Sequence, residues 1–269
     1  VLAATPGLVA RQTSGSFVAR TIDGVLPPAP DAMQTLRTLI GDGTGPDVFD
    51  VLRPTVSAGS PPATTGLDPA TTLAVARSVV KVEGTACSKV QDGTGWVAAD
   101  GIIVTNAHVV AGERTTTVQR EDGRRLDAVV IGFDPSRDLA VLRVNGLDRP
   151  ALTLADSAPA NGSTGGVFGH PGGGDLRIAP FAVARAIDAT GRDIYGDRRT
   201  ERKVLELAAA LRPGDSGSAI VDARGIVVGV AFAVARDRND VAYALAPSEV
   251  RAAIAGITGA PVGTGTCLA

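Results

Sequence analysis

Twelve mostly brief runs rich in Val, Ile, Leu and Ala, parted by Gly, Pro, Asp and Ser, leave this 269-residue chain few choices of architecture. Such runs suit a pleated, half-buried surface, and most are too short to make a stable helix. Residues 78–83, 95–98, 101–105, 116–119, 126–132 and 138–144 predict one barrel. Residues 166–169, 176–187, 204–207, 218–221, 226–234 and 241–245 predict a second. Two helices flank them. Asp68-Pro69 has the form of an N-cap followed by proline in the first turn, opening a helix to about Arg77, and Pro247 opens another to about Ile254. The fold class is therefore all-β with a C-terminal helix and a helical N-terminal extension.

The chemistry concentrates in three segments. Arg212-Pro213-Gly214-Asp215-Ser216-Gly217-Ser218-Ala219 sets a serine between glycines ahead of an apolar strand. A serine hydroxyl needs a base to take its proton and a pair of N–H donors to receive an oxyanion, and Gly214 lets its own amide and that of Ser216 point at one spot. An ordinary turn uses the same residue types. Upstream, the strand at 101–105 runs into Asn106-Ala107-His108, which carries one of the chain's two histidines. Histidine titrates near neutrality, so His108 is the candidate base. Thirty residues on, Asp138 opens the strand-like run 138–144 and can orient the imidazole, whereas Asp134 precedes Pro135 and reads as a turn former. The order His, Asp, Ser differs from those of subtilisin and of the α/β-hydrolases, and Ser218 breaks the Gly-x-Ser-x-Gly elbow.

The segments Thr105 to Val110, Asp138 to Leu142 and Pro213 to Ala219, with Gly93-Thr94-Gly95-Trp96-Val97 and Val241 to Pro247, make residues 78–255 resemble the bacterial HtrA-type trypsin-like proteases. With its leading segment the chain is similar to a mycobacterial, membrane-anchored, periplasmic branch associated with acid resistance. The resemblance implies a chymotrypsin-like double antiparallel β-barrel and a serine endopeptidase. Its catalytic residues would be His108, Asp138 and Ser216, and its oxyanion hole Gly214 and Ser216. It also implies an S1 pocket at Ala210, Phe232, Ala233 and Val241, whose lack of an acidic residue favours apolar P1 side chains. Two departures stand out: no PDZ domain follows, and Asp215 replaces the usual Asn. A buried carboxylate there needs a partner, for which an internal arginine is expected. The alternative function is an inactive protease-fold module that holds peptide without cutting it.

The remaining features set limits. The net charge of −2, with basic residues scattered, gives no electrostatic footprint for nucleic acid or an anionic membrane, so protein or peptide is the expected partner. Two histidines and two distant cysteines make no metal ligand set, and no cofactor is implied. Phe168 to Gly174 is glycine-rich but lacks the ending of a phosphate loop and reads as a strand-loop corner. His170 within it is read as structural. The charged run Arg192 to Lys203 reads as a solvated loop that could order with substrate. Cys87 and Cys267 bracket the protease region and are expected to pair, which would place the protein outside the reducing cytosol; the alternative is a free pair.

Residues 1–66 are expected to be an extension with helical patches at 31–40 and 47–52, then a Pro/Ser/Ala/Thr-rich linker at 54–66; residues 67–269 form the protease domain. An opening Val1 and no apolar run of membrane-spanning length suggest a piece of a secreted precursor, tethered only through an anchor upstream. The linker, preceded by Val51 and Leu52, is the expected site of self-cleavage.

Overall fold

The computed structural model describes residues 58–235 and 238–268. The patches expected at 31–40 and 47–52 lie outside them. Twelve strands form two closed antiparallel barrels. The first contains β1 (Val79–Ala86), β2 (Lys89–Ala99), β3 (Ile102–Thr105), β4 (Glu113–Gln119), β5 (Arg125–Asp134) and β6 (Leu139–Val144), in the order β1-β2-β3-β6-β5-β4. The second contains β7 (Thr164–Gly169), β8 (Arg177–Arg192), β9 (Arg199–Ala208), β10 (Ala219–Asp222), β11 (Val227–Val234) and β12 (Val241–Leu245), in the order β10-β11-β12-β9-β8-β7. Closure leaves no strand edge unpaired, which is how short strands satisfy their backbone groups.

Alternation along the strands fills each barrel with aliphatic side chains. Val80, Val82, Ile103 and Leu142 are among those packed in the first, and Val167, Phe181, Leu205 and Ile220 in the second. A further cluster joins Trp96, Val104 and Leu139 of the first barrel to Phe168, Phe232 and Tyr243 of the second. The two barrels therefore share one apolar core. At about 25 cal/mol per Å² of apolar surface buried, such burial is the main force holding the barrels together.

Among the described residues, three α-helices accompany the barrels: α1 (Pro69–Ala76), α2 (Ala107–Val110) and α3 (Pro247–Ala255). Asp68 caps α1 through Oδ1, which accepts from the amides of Ala70 and Thr71 at 2.9 Å, as the Asp-Pro signature requires. The linker region, described from residue 58, contains neither helix nor strand up to Asp68. Ala58 and Leu67 pack against the shared core, while Gly59, Ser60, Ala63 and Thr64 are exposed.

Two hairpins differ from expectation. Strands β1 and β2 form one long hairpin whose pairing runs from Val79 with Trp96 to Ala86 with Lys89. Its two-residue turn places Cys87 at φ 49° and Ser88 at φ 66°, the backbone of a type I′ turn made without the usual Gly or Asn. The second difference corrects the reading of Arg192 to Lys203 as a solvated loop. Strands β8 and β9 pair from Ala182 with Ala208 to Arg192 with Arg199, so only the tip is a turn. Arg202 is 1% exposed, and Ile194 is buried against Ala107 and Ala111 of the first barrel.

The C-terminal segment returns across the first barrel. Val262 N–H donates to Val130 O, Gly112 N–H donates to Thr264 O, and Cys267 forms a disulfide with Cys87 at the hairpin tip. The bond closes a loop of 180 residues, which in the chain-entropy treatment stabilises the fold by up to about 5 kcal/mol.

Candidate active site

His108 lies on the single turn α2, in the run Asn106 to Val110 where the strand β3 ends. Asp138 lies at the mouth of β6. The two are joined twice: Asp138 Oδ1 accepts from His108 N–H at 2.9 Å, and Asp138 Oδ2 lies 2.7 Å from His108 Nδ1. A carboxylate can only accept there, so Nδ1 carries the proton and Nε2 is left as the proton acceptor of the neutral ring. Asp138 has φ 59°, an uncommon conformation for a non-glycine residue, and its backbone is held by Asn106 Nδ2, which donates to Asp138 O at 2.8 Å. Asp134 closes the preceding turn, with Oδ1 accepting from the amides of Ser136 and Arg137.

Sequence reasoning missed the group that supports this loop from the second barrel. Arg202 on β9 donates through Nε to Ser136 O at 2.6 Å and through Nη2 to Arg192 O at 2.9 Å. Burial pulls its pKa below the ordinary arginine value, opposed by the charges of Asp138, Asp134, Asp193 and Glu249. A cation thus sits behind the aspartate that faces His108.

Ser216 lies on the second barrel's loop ahead of β10, beside β2 of the first barrel. Thr94 N–H donates to Ser216 O at 2.8 Å. A Cβ on Gly93 would meet both Val109, which follows His108, and Ser216 O. A Cβ on Gly217, at φ 84°, would overlap Thr94 O and Thr105 Oγ1. Bare glycines therefore bring the serine segment against the histidine turn.

The loop's amides separate into two groups. Asp215 N–H donates to Arg212 O, Gly217 N–H to Ala231 O and Ser218 N–H to Asp215 O. Among the described residues, the N–H groups of Gly214 and Ser216 have no protein acceptor. Two unspent amides flanking one serine hydroxyl are what a tetrahedral oxyanion would require.

The corner at residues 169–174 also takes part. Gly172 N–H donates to Pro213 O at 2.7 Å, Lys81 Nζ donates to Gly173 O at 2.9 Å, and His170 Nδ1 lies 2.9 Å from Gly174 O. His170 is buried, which holds its pKa below the ordinary histidine value.

Asp215 is buried, and burial raises its pKa against the opposing effects of the Arg212 amide and of Arg177 and Arg212. Arg212 N–H donates to its Oδ2 at 2.8 Å, while Arg177 Nη1 lies 3.7 Å away and donates to Ala210 O. The four residues named for S1 divide. Ala210 is exposed and Ala233 half-buried, whereas Phe232 and Val241 lie in the shared core, Val241 with no accessible surface.

Residues 93–230 match the trypsin-like peptidase domain family. The chain belongs to that family. It is 40% identical over 195 residues to the serine protease Rv3671c of Mycobacterium tuberculosis, covering 71% of this chain and 49% of that protein. Thus it spans about half the length of that curated relative. A probable periplasmic serine endoprotease of the DegP-like type from Halomonas elongata is 34% identical over 140 residues, covering 51% of this chain and 28% of the relative. The crystal structure of the Rv3671c protease in its active form superposes with a TM-score of 0.72 at 38% identity, covering 81% of this chain and all of that one. The chain is thus a trypsin-like peptidase domain with the chymotrypsin-like fold, similar to serine proteases of the HtrA-related type.

Proposed function

We propose that this chain is a serine endopeptidase in which Ser216 is the nucleophile, His108 the base, Asp138 its orienting carboxylate, and the amides of Gly214 and Ser216 the oxyanion hole. The observations that carry the reading are the doubly bonded His108–Asp138 pair on one barrel and, on the other, a serine with two unspent amides whose backbone packs against the histidine turn. Ser216 Oγ attacks the scissile carbonyl carbon while His108 Nε2 takes its proton. The carbonyl π pair moves onto oxygen, held by the two amides. Collapse breaks the C–N bond, and the imidazolium returns the proton to the departing amine. Water, deprotonated by the same nitrogen, then releases the acyl group and restores the serine.

Ala210 and Ala233 supply the open surface at the S1 position, with no carboxylate among the four residues assigned there, so medium apolar P1 side chains are the preferred class. The reading extends to a protease that works outside the cytoplasm in stress or acid resistance, supported by the Cys87–Cys267 disulfide and by the DegP-like relative's periplasmic assignment. It includes self-cleavage before or within residues 50–70, supported by the exposure of Gly59, Ser60, Ala63 and Thr64 in a segment without helix or strand.

The test is hydrolysis of a peptide library by the wild type, Ser216→Ala and His108→Ala, with N-terminal sequencing of aged samples. Either substitution is expected to abolish cleavage at unchanged circular dichroism, and new termini within 50–70 should form only with Ser216 present. Activity retained by purified Ser216→Ala would refute the assignment.

A further inference from the structure

The oxyanion hole poses a conformational problem. Gly214 must be glycine, since it has φ 92° and a Cβ would collide with Gly172 N and His170 O. The same lack of a side chain leaves it free to rotate its flanking peptides and turn the Gly214 N–H away from the Ser216 N–H. Within the loop only Asp215 N–H, donating to Arg212 O, bears on these planes, so contacts from outside have to hold the two carbonyls.

Two hydrogen bonds do so. The Pro213–Gly214 peptide is fixed by Gly172 N–H on Pro213 O. In a planar trans peptide the C=O and N–H point in opposite directions, so this bond turns the Gly214 N–H away from the 169–174 corner. The next peptide is fixed by Thr94 Oγ1, which donates to Gly214 O at 2.8 Å. The hydroxyl also accepts from His170 N–H at 2.8 Å, which ties the corner carrying Gly172 to the same atom. Thr94 N–H holds Ser216 O, and Thr94 O accepts from Thr105 Oγ1, three residues before His108. Thr94 has no accessible surface. One first-barrel residue is thus bonded to the carbonyls of both residues whose amides are unspent.

We propose that the Thr94 hydroxyl is a positioning group that sets the oxyanion hole from the opposite barrel. Its single proton goes to Gly214 O and its lone pair to His170 N–H, so the hole forms only when the strand β2, the corner and the nucleophile loop are in register. It deepens the serine-protease reading and depends on it.

Thr94→Val keeps the shape and removes both bonds. It is expected to lower kcat about 10- to 100-fold, less than the 10²- to 10³-fold typical of losing a hole donor outright, with KM changed by less than about threefold. Binding of a peptide boronic acid, whose tetrahedral adduct uses the hole, should weaken in parallel with kcat. Thr94→Ser, which keeps the hydroxyl, should remain within about threefold of wild type in both. If Thr94→Val does not fold, Thr94→Cys, with a weak S–H donor of similar size, should show the same parallel loss.

An unchanged kcat and boronate affinity in a folded Thr94→Val protein, with only thermal stability reduced, would overturn the proposal. So would a Thr94→Ser protein as impaired as Thr94→Val. Ser216→Ala, run alongside, separates the two levels: hydrolysis independent of Ser216 refutes the enzyme assignment, whereas Ser216-dependent hydrolysis insensitive to Thr94 refutes only this inference.

Discussion

The two halves of the site are built by different means. In the first barrel, His108 and Asp138 meet through their own side chains, and side chains place them: Asn106 donates to Asp138 O, and Arg202 of the second barrel braces the loop at Ser136 O. In the second, the working groups are backbone amides, and the residues that aim them come from Thr94 and Gly172, far from Ser216 in the chain. A side-chain constellation announces itself by residue type. A backbone constellation announces only the glycines that permit it.

The largest effect should follow from breaking the side-chain half without changing its shape. Asp138→Asn preserves volume but offers His108 Nδ1 an amide, whose nitrogen would favour the wrong tautomer. A loss in kcat of about 10⁴-fold is expected, with melting temperature little changed. Single-turnover kinetics on an ester substrate would measure it, and a loss under tenfold would show that Asp138 is not the orienting group.

The backbone half should break with one methyl group. Gly217→Ala places a Cβ against Thr94 O and Thr105 Oγ1 at φ 84°, so the nucleophile loop has to leave the first barrel. At least a 10²-fold loss in kcat is expected, together with reduced stability. Gly172→Ala is the matched control: its φ is 61° but its Cβ would meet nothing within 4 Å, so only the conformational cost of about 1 kcal/mol applies. Equal damage from the two would remove the distinction between close approach and mere backbone strain.

The same contrast governs what the sequence revealed. Both barrels, the capped helix α1 and the family blocks around His108, Asp138 and Ser216 were legible, because strand periodicity, capping chemistry and nucleophile glycines act locally. The β1–β2 hairpin was not read in full, since Cys87 and Ser88 adopt positive φ without a Gly or Asn signal. The charged run ending β8 and opening β9 misled because Arg202 turns inward to the carbonyls of Ser136 and Arg192, a tertiary contact invisible to charge counting. Thr94 carried no signal of its own beyond lying in the motif Gly93 to Val97, since its role depends on carbonyls over a hundred residues away.

Away from the catalytic residues, the first barrel contains a carboxylate whose burial should be felt as a pH dependence of stability. Glu113 on β4 is 7% exposed, accepts from Thr116 Oγ1 at 2.5 Å, and is pushed by burial up to about 7. Its backbone carbonyl accepts from Thr264 Oγ1, so it sits beneath the returning C-terminal segment. A carboxyl whose folded pKa is raised binds its proton more tightly in the native state. Its contribution is therefore fully present below the unfolded value near 4.5 and is lost as pH rises to about 7, a swing of about 3 kcal/mol. Glu113→Gln should flatten this part of the profile and stabilise the protein at pH 7.5 relative to wild type. Urea midpoints at pH 5 and 7.5 would decide it, and parallel profiles for the two proteins would contradict it.

The smallest effect tests whether the nucleophile loop relies on charge at all. Asp215 has a cation in reach, but Arg177 stands at 3.7 Å and its side chain is 29% exposed, a geometry in which ion pairs contribute little. The closer partner is the Arg212 amide, which an asparagine oxygen can accept equally well. The replacement's nitrogen would sit near one buried hydroxyl. Ser218 Oγ is buried without a hydrogen bond among the described residues, and it faces the same Gly169 position as Asp215 Oδ1. Asp215→Asn should therefore keep kcat within about threefold of wild type. Because burial raises the Asp215 pKa, the wild-type carboxylate loses stability as pH rises, and the neutral amide should be equally or more stable at pH 7.5. Steady-state kinetics and thermal melts at pH 5 and 7.5 give both numbers. A loss of 10²-fold or more in Asp215→Asn would mean that the Arg177–Asp215 charge pair, rather than the hydrogen bonds from Thr94, Gly172 and Arg212, holds the loop in its working shape.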